Sequence, residues 1–198
     1  MKAELLTNTP LKALKDEFPE LGWRDLLPHL SYTIAIEKVS RACSHQLVRH
    51  RIASISQQSQ RYITVKRLGE KIVVPSSIVE SNMDDYISGI DAASESYQRL
   101  VINGVPREDA RFLLPNAVET SLLMTMDGKS LVHFLGLRTC SRAQWEIRTL
   151  ADLILEQLRA VEPEIFNHVG PYCYQLGYCP EGRHTCGNMK EALERYGV

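Results

Sequence analysis

The spacing of hydrophobic and polar positions divides the chain into strand-like and helix-like segments. Alternation from Tyr32 to Val39 predicts a β-strand, and the apolar run from Val118 to Met126 predicts a buried strand. A polar stretch after Arg51 leads into a third strand-like run at 62–65. Apolar residues at helical spacing predict helices over 83–103, 129–137 and 142–161. A few strands among several helices predict an α+β fold, with a small central sheet flanked by helices.

The length of the chain fits one globular domain. Its 198 residues contain no internal repeat and no low-complexity segment. We therefore predict a single domain over residues 1–198, which ends in a Cys- and Gly-rich tail over 170–198. No apolar run is long enough to span a membrane, and charged residues such as Lys12 and Asp16 lie where a secretory signal would be apolar. These features predict a cytoplasmic protein without a membrane partner.

Basic residues are concentrated in two stretches, although the formal net charge is only -1. Residues 38–69 hold seven lysines and arginines, and neither this stretch nor residues 128–145 contains Asp or Glu. Two basic stretches in a near-neutral protein point to an anionic ligand that both could contact. Two solvated basic faces are the alternative interpretation.

A predicted helix after Ser40 carries the first basic group. Ser40 is the predicted N-cap, and the helix is predicted to continue to about Arg49. Arg41, His45 and Arg49 then recur at i, i+4 and i+8, so they would share one face of the helix. Like charges at this spacing are unfavourable unless an anion faces them.

The most distinctive motif is Arg49-His50-Arg51, followed by seven residues and then Ser59. The planar guanidinium group donates two parallel hydrogen bonds, which suits phosphates and pyrimidine carbonyls. His50 lies between two arginines, and their charges favour its neutral form near pH 7. A turn or capping role is the alternative for Ser59.

Two further blocks accompany this motif in the chain. The three blocks are HQLVRHRIASISQQSQRY at 45–62, PREDARFLLPNAVET at 106–120 and FLGLRTCSRAQWEIR at 134–148. Together they resemble the flavin-dependent thymidylate synthase family, whose hallmark is Arg-His-Arg, seven residues and Ser. The resemblance implies a homotetramer, with active sites at subunit contacts, that reductively methylates dUMP to dTMP. It also implies FAD as the flavin, methylenetetrahydrofolate as the one-carbon donor and NADPH as the reductant.

The resemblance also implies roles for individual residues. The flavin would be held by Arg49, His50, Arg51, Arg138 and Arg142. The substrate dUMP would be contacted by Gln46, Gln57, Gln58, Ser59, Arg61 and Arg148. Arg148 is a candidate catalytic residue because its guanidinium could polarise the pyrimidine. Ser59 is the second candidate, which would contact the substrate rather than attack it, since no base partner is recognisable. His133 is interpreted as a core residue outside the site.

Three positions differ from the family pattern. Family members usually carry a His-x-Ser-x-x-Glu-His-like motif before the first strand, and only His29 matches it here. Ser121 occupies a position where a basic residue would hold the substrate phosphate, and Gly136 one where a polar side chain would meet the flavin. Each of the latter two differences would remove one hydrogen bond, worth about 1–3 kcal/mol.

The tail contains donor atoms that suit zinc, in Cys173, Cys179, His184 and Cys186. The cysteines are separated by five and six residues, which differs from the usual Cys-x2-4-Cys pattern. We therefore predict no metal site, and we interpret these cysteines as unligated thiols without a nucleophilic role.

Two other functions are compatible with parts of the sequence. One is a nucleic-acid-binding module in which residues 38–69 contact phosphates. A sequence pI of ≈ 6.6, and Tyr62 as the only aromatic residue of that stretch, argue against it, so we predict no nucleic-acid partner. The other is a family member that keeps the fold and has lost catalysis, which the intact signature arginines argue against.

Overall fold

A computed structural model describes residues 1–62 and 68–197 of the protein. The strands are β1 (Lys2–Asn8), β2 (Ser31–Ser40), β3 (Ser54–Gln57) and β4 (Glu119–Asp127). They form a four-stranded sheet with the order β1-β2-β4-β3. Helices make up most of the remaining regular structure, and the predicted α+β fold class is confirmed.

Eleven α-helices lie in the described part of the chain. They are α1 (Leu11–Glu17), α2 (Trp23–Leu26), α3 (Arg41–Leu47), α4 (Ser76–Val79), α5 (Met83–Ile102), α6 (Arg107–Ala110), α7 (Gly128–Arg138), α8 (Trp145–Val161), α9 (Pro163–Phe166), α10 (Tyr172–Leu176) and α11 (Met189–Tyr196). Short 3-10 turns lie at Leu27–His29, Leu68–Glu70, Arg111–Leu113 and Gly182–His184. Of the helices in residues 1–62 and 68–197, none combines the length and apolar character that crossing a membrane requires.

Strands β2 and β4 are neighbours in the sheet and run in opposite directions. The hydroxyl oxygens of Thr33 and Thr125 lie 3.0 Å apart, and the Arg41 N–H, just beyond β2, donates to the Val118 carbonyl at the start of β4. Buried side chains recur at every second position over most of both strands. The two strands predicted from apolar alternation and from a buried apolar run are confirmed.

The chain forms two compact units, and the first comprises residues 1–36, 46–56 and 123–198. In this unit the apolar face of α8 packs against β1. The Gln157 amide joins the two elements, since it donates to the Ala3 carbonyl and accepts from the Leu5 N–H, each at 2.8 Å. Tyr32 on β2 packs edge-on against Phe166, with 5.4 Å between ring centroids.

The second unit comprises residues 37–45 and 57–122. Its small core is built on α5, whose Ile90 and Tyr97 pack with Leu68, Ala110 and Val118. The apolar spacing that predicted α5 therefore marks the face that the helix buries. The single domain over 1–198 and the separate tail over 170–198 stay predictions.

The helix that carries the first basic group is shorter than predicted. Its cap is confirmed, because the Ser40 hydroxyl accepts from the Cys43 N–H at 2.9 Å. The helix ends at Leu47, where the His50 N–H donates to the Leu47 carbonyl and closes a turn. Arg49 therefore lies outside the helix, and the predicted face shared by Arg41, His45 and Arg49 is wrong.

Two strands and one helix start were not predicted. No strand was predicted at β1, and β3 lies within the polar stretch after Arg51, which lacks the apolar alternation of a half-buried strand. Helix α8 begins at Trp145 rather than at 142, because the Gln144 side chain accepts from the N–H groups of Glu146 and Ile147. Tyr62 lies in a turn, and residues 63–65 of the predicted third strand lie outside the described residues.

Candidate active site

The Arg49-His50-Arg51 motif forms a tight turn directly after α3. The His50 N–H donates to the Leu47 carbonyl at 2.9 Å, and the Ala53 N–H donates to the His50 carbonyl at 3.0 Å. The side chain of His50 is buried, and those of Arg49 and Arg51 are exposed. The motif therefore presents two solvated cations that flank a buried imidazole in the chain.

The His50 ring is held by aromatic groups of α7. It stacks on the His133 ring, with 5.6 Å between centroids and 23° between planes, and meets Phe134 edge-on at 5.3 Å. His133 Nδ1 is hydrogen-bonded to the Tyr172 hydroxyl of α10. His133 is exposed, so its interpretation as a core residue is wrong.

His50 carries the clearest sign of a binding role in this unit. Burial lowers the pKa of His50, a hydrogen bond with the Ser130 backbone opposes this, and the charges of His133 and Arg138 lower the pKa further. The neutral imidazole is favoured, as the sequence predicted. Its Nε2 atom is buried and has no hydrogen-bond partner among the described residues, so the bond to Ser130 uses Nδ1. In the neutral ring Nε2 is then an acceptor that a ligand could satisfy.

Arg138, at the end of α7, has a second buried polar atom without a partner. Its Nε lacks a hydrogen-bond acceptor in the part of the chain that the structure describes. Arg138 and Arg142 both line a cavity of ≈ 220 Å³. Arg142 is exposed, and one of its terminal nitrogens donates to the His184 carbonyl. The structure thus places Arg138 near His50, whereas Arg142 is engaged by the coil before α11.

A packing contact explains the glycine at position 136. A Cβ atom on Gly136 would lie 3.0 Å from the Tyr172 ring and 3.0 Å from Gln175 Nε2. Helix α10 therefore packs directly over the backbone of α7 at this point. A polar side chain of the kind expected at this position would require the side chains of Tyr172 and Gln175 to shift, because they occupy part of the space that it would need.

Two predicted substrate residues belong to the first unit. Gln46 Nε2 lies 3.5 Å from Gln144 Oε1. Arg148 donates to the Ser141 carbonyl at 2.8 Å and lines a cavity of ≈ 340 Å³, whose wall includes residues of α11 such as Tyr196. The carbonyl contact orients the Arg148 guanidinium before any ligand binds.

The other predicted substrate residues belong to the second unit. Gln57 Nε2 lies 3.3 Å from Thr120 Oγ1, and the Gln58 N–H donates to the Ser121 carbonyl at 2.9 Å. Both residues are therefore anchored to β4. Ser121 contributes its backbone here, which any residue at this position could do.

Ser59 and Arg61 form a local turn. The Ser59 hydroxyl accepts from the Arg61 N–H at 3.2 Å, which is the turn role considered as the alternative for Ser59. The Arg61 guanidinium forms an exposed ion pair with Glu108 at 2.5 Å. Glu108 lies in the block at 106–120, so the ion pair joins two blocks of the resemblance within one unit.

Sequence reasoning missed His133 and Tyr172. His133 lies in the acid-free stretch 128–145, a signal that could have included it. Nothing in the sequence indicates Tyr172, because its role depends on the packing of α10 on α7.

The comparison with known proteins decides the family. The family model "Thymidylate synthase complementing protein" matches residues 7–164. The chain belongs to the flavin-dependent thymidylate synthase family. It is 50% identical over 190 residues to the flavin-dependent thymidylate synthase of Geobacter sulfurreducens, with 95% of this chain and 82% of that protein covered. It is 43% identical over 203 residues to the enzyme of that name from Pyrococcus abyssi, with 98% and 83% covered. The predicted family is confirmed.

Solved structures support the fold of this family member. The flavin-dependent thymidylate synthase ThyX from Helicobacter pylori, complexed with FAD and dUMP, matches with a TM-score of 0.70 and 23% identity, over 86% of this chain and 100% of that one. The UMP/dUMP methylase PolB from Streptomyces cacaoi, bound with 5-Br dUMP, matches with a TM-score of 0.68 and 22% identity, over 83% and 92%. At these identities the likeness shows the shared fold.

Proposed function

We propose that this protein is an FAD-dependent thymidylate synthase, which reductively methylates dUMP to dTMP with methylenetetrahydrofolate as carbon donor and NADPH as reductant. The observation that carries the proposal is the pair of buried polar atoms, His50 Nε2 and Arg138 Nε. Neither has a hydrogen-bond partner among the described residues, in a chain of this family. The buried hydroxyls of Tyr32 and Tyr97 also lack one, but only His50 and Arg138 belong to the blocks at 45–62 and 134–148 that resemble the family. Buried polar atoms in folded proteins are almost always hydrogen-bonded, so these two favour a polar ligand.

The residues around these atoms fit FAD. Its pyrophosphate is an anion, and the exposed guanidinium groups of Arg49, Arg51 and Arg142 are cations suited to it. His50 Nε2 can accept a hydrogen bond, and Arg138 Nε can donate one, so the two match a ring system with both donors and acceptors. When bound and reduced by NADPH, the flavin would supply the hydride of the reaction.

We assign dUMP to Gln46, Gln57, Gln58, Ser59, Arg61 and Arg148. Glutamine side chains carry both a donor and an acceptor, which suits the polar edge of a uracil ring. The Arg61 guanidinium suits the phosphate. To bind it, Arg61 would give up its ion pair with Glu108. The Arg148 guanidinium would stabilise negative charge that develops on the pyrimidine. Ser59 contacts the substrate in this assignment and forms no covalent bond.

We also propose a homotetramer that works in the cytoplasm. Phe112 and Ile102 in the second unit are 84% and 81% exposed, which is apolar surface that subunit contacts would bury. Mass photometry of the purified protein should give four times the chain mass of 22.5 kDa. A monomer at assay concentration would contradict the assembly while leaving the reaction open to its own test.

The proposed reaction is tested on purified protein. We expect a flavin absorbance spectrum, and NADPH oxidation that requires both dUMP and methylenetetrahydrofolate and yields dTMP. Product analysis by mass spectrometry separates this reaction from simple NADPH oxidase activity. Protein that binds no added FAD, or that forms no dTMP with all components present, would contradict the proposal.

A matched pair of arginine variants tests the flavin site. Arg138→Ala removes a buried donor. Because the loss of one hydrogen bond to a charged group weakens binding by about tenfold or more, we expect the Kd for FAD to rise by that factor. Arg99→Ala is the control, because Arg99 is exposed on α5 and contacts Ser96 and Glu95. Equal FAD affinity in the two variants would remove Arg138 from the site.

A further inference from the structure

Helix α11 contacts the rest of the first unit through one face. Met189 and Ala192 are half-buried and Tyr196 is 5% exposed, whereas the other side chains of the helix are exposed. These three positions are three and four residues apart, so they lie on one side of the helix. The helix follows residues 7–164, the stretch that the family model matches. Tyr196, at the end of the buried face, anchors α11.

The Tyr196 hydroxyl reaches a carboxylate of α8. It lies 2.7 Å from Asp152 Oδ1 and 3.2 Å from the Thr139 carbonyl oxygen. The other carboxylate oxygen, Asp152 Oδ2, accepts from the Arg195 guanidinium at 2.7 Å. Burial raises the pKa of Tyr196, the hydrogen bond and charge of Asp152 raise it further, and the charges of Arg195 and Arg148 oppose this rise. The hydroxyl is therefore protonated at neutral pH, and each oxygen of Asp152 has a donor from α11.

Asp152 lies one helical turn after Arg148, the residue assigned to the pyrimidine of dUMP. Side chains four residues apart on a helix are neighbours, and the Cα–Cβ bond at Asp152 is tilted toward the turn that holds Arg148. Opposite charges at this spacing attract each other. Among the described residues Arg148 nevertheless forms no ion pair, and its guanidinium donates to the Ser141 carbonyl at 2.8 Å. The Asp152 carboxylate is bound to α11 instead.

We propose that Tyr196 and Arg195 are positioning residues, which occupy the Asp152 carboxylate and so keep Arg148 available to the substrate. The inference rests on the proposed function, in which Arg148 contacts dUMP. Without the two donors, Asp152 would attract the Arg148 guanidinium, and dUMP would have to displace the carboxylate before it could bind. Tyr196, Arg195 and Arg148 line the same cavity of ≈ 340 Å³, so the donors act beside the arginine that they protect.

Glu191 provides a control for the charge of this cavity. It also lines the cavity, it is exposed in the first turn of α11, and it forms no ion pair in the described part of the chain. The amino terminus of a helix stabilises a negative charge at this position. A substitution at Glu191 therefore changes the charge of the cavity wall without a change at Asp152.

Steady-state kinetics of dTMP formation by the holoenzyme tests the inference. Tyr196→Phe and Arg195→Gln each free one oxygen of Asp152, so the KM for dUMP should rise about two- to fivefold, the usual effect of a partly exposed ion pair. Because bound dUMP has already displaced the carboxylate, kcat and the KM for methylenetetrahydrofolate should stay the same. Tyr174→Phe is the control, since it removes a hydroxyl that donates to the Asn167 carbonyl at 2.9 Å. Equal KM values for dUMP in Tyr174→Phe and Tyr196→Phe would overturn the inference.

Removal of the charge at Asp152 should reverse the defect. Tyr196→Phe combined with Asp152→Asn should return the KM for dUMP to the wild-type value, because a neutral amide does not hold the guanidinium as an ion pair. Tyr196→Phe combined with Glu191→Gln should keep the raised KM. A helix that had merely loosened would not be restored by a second substitution at its own contact. A KM that stays raised with Asp152→Asn, or that falls equally with Glu191→Gln, would show that Asp152 does not compete for Arg148.

A crystal structure of the Tyr196→Phe/Arg195→Gln variant tests the inference without turnover. We expect the Arg148 guanidinium within about 4 Å of the Asp152 carboxylate. A guanidinium that still donates only to the Ser141 carbonyl would overturn the inference, even in a protein that makes dTMP. Wild-type protein that forms no dTMP would contradict the proposed function instead. An Arg148→Ala variant with an unchanged KM for dUMP would contradict both the assignment of Arg148 and the inference that rests on it.

Discussion

The imidazole rings of His50 and His133 lie nearly parallel, with 5.6 Å between their centroids and 23° between their planes. His133 is in turn hydrogen-bonded to the hydroxyl of Tyr172 on α10. The orientation of the buried imidazole is therefore set by α7 and α10 as well as by its own turn. In the proposed enzyme His133 is a positioning residue, which acts on the flavin through His50.

Loss of the ring at position 133 should weaken flavin binding. His133→Ala removes the stacked partner of His50, and an aromatic pair is worth about 0.5–1.5 kcal/mol, so the Kd for FAD should rise about two- to tenfold. Flavin fluorescence titration measures this change. His133→Phe, which keeps a ring, should recover most of the affinity.

His168→Ala is the matched control for His133→Ala. His168 is exposed and stacks on Trp23, with 6.1 Å between centroids, and neither residue is among the proposed flavin residues. The same FAD affinity in His133→Ala and His168→Ala would show that the stack on His50 has no part in flavin binding.

Burial of His50 predicts a loss of stability in acid. The pKa of His50 is lowered from 6.5 in the folded protein, mainly by burial, so below pH 6.5 the unfolded chain binds the proton more readily. The free energy of unfolding should therefore fall as the pH drops from 6.5 toward the folded pKa. The contribution of this one group is at most about 1.36 kcal/mol per pH unit.

Urea unfolding of the flavin-free protein at several pH values measures this dependence. His50→Gln removes the titrating group, so its free energy of unfolding should change less with pH below 6.5. Above pH 6.5 the free energies of unfolding of the wild-type protein and of His50→Gln should change with pH in the same way. Identical slopes over the acid range would show that His50 does not titrate on unfolding as its burial implies.

The ion pair between Arg61 and Glu108 should compete with the substrate. If Arg61 holds the dUMP phosphate, Glu108→Gln frees the guanidinium and should lower the KM for dUMP. Exposed ion pairs are worth about 0.2–1 kcal/mol, so the decrease should not exceed about fivefold, and kcat should stay the same. Steady-state kinetics of dTMP formation measures both constants.

Glu95→Gln provides the control for this competition. Glu95 forms a longer exposed pair, with Arg99 at 4.0 Å on α5, where no substrate residue is assigned. A KM for dUMP that is unchanged or higher in Glu108→Gln would argue against a phosphate contact by Arg61.

Local patterns in the sequence predicted the parts of the fold that depend on neighbours in the chain. The burial alternation of β2, the amphipathic face of α5 and the Ser40 cap each follow from residues within one element. The strand β3 escaped prediction because its polar residues carry no apolar alternation. The early end of α3 also escaped, because the turn at His50 decides it.

The candidate site was predicted as a set of residues and not as a set of contacts. The arginines and glutamines follow from the two basic stretches and the family motif, whereas their partners come from distant segments. His133 beside His50 and Tyr172 over Gly136 both depend on how α10 packs on α7. Sequence spacing contains no information on such contacts.

The start of α7 requires glycine at position 128. A Cβ atom on Gly128 would lie 2.7 Å from the Leu27 carbonyl oxygen, which is backbone and cannot move aside easily. Gly128→Ala should therefore lower the free energy of unfolding by about 1–3 kcal/mol, the usual cost of overpacking. Gly89→Ala is the control, since no described atom lies within 4 Å of its added Cβ and the helix α5 should gain about 0.5–1 kcal/mol. Chemical denaturation measures the free energy of unfolding of both variants. If Gly128→Ala is as stable as Gly89→Ala, the backbone at Leu27 must shift to make room for the added Cβ atom.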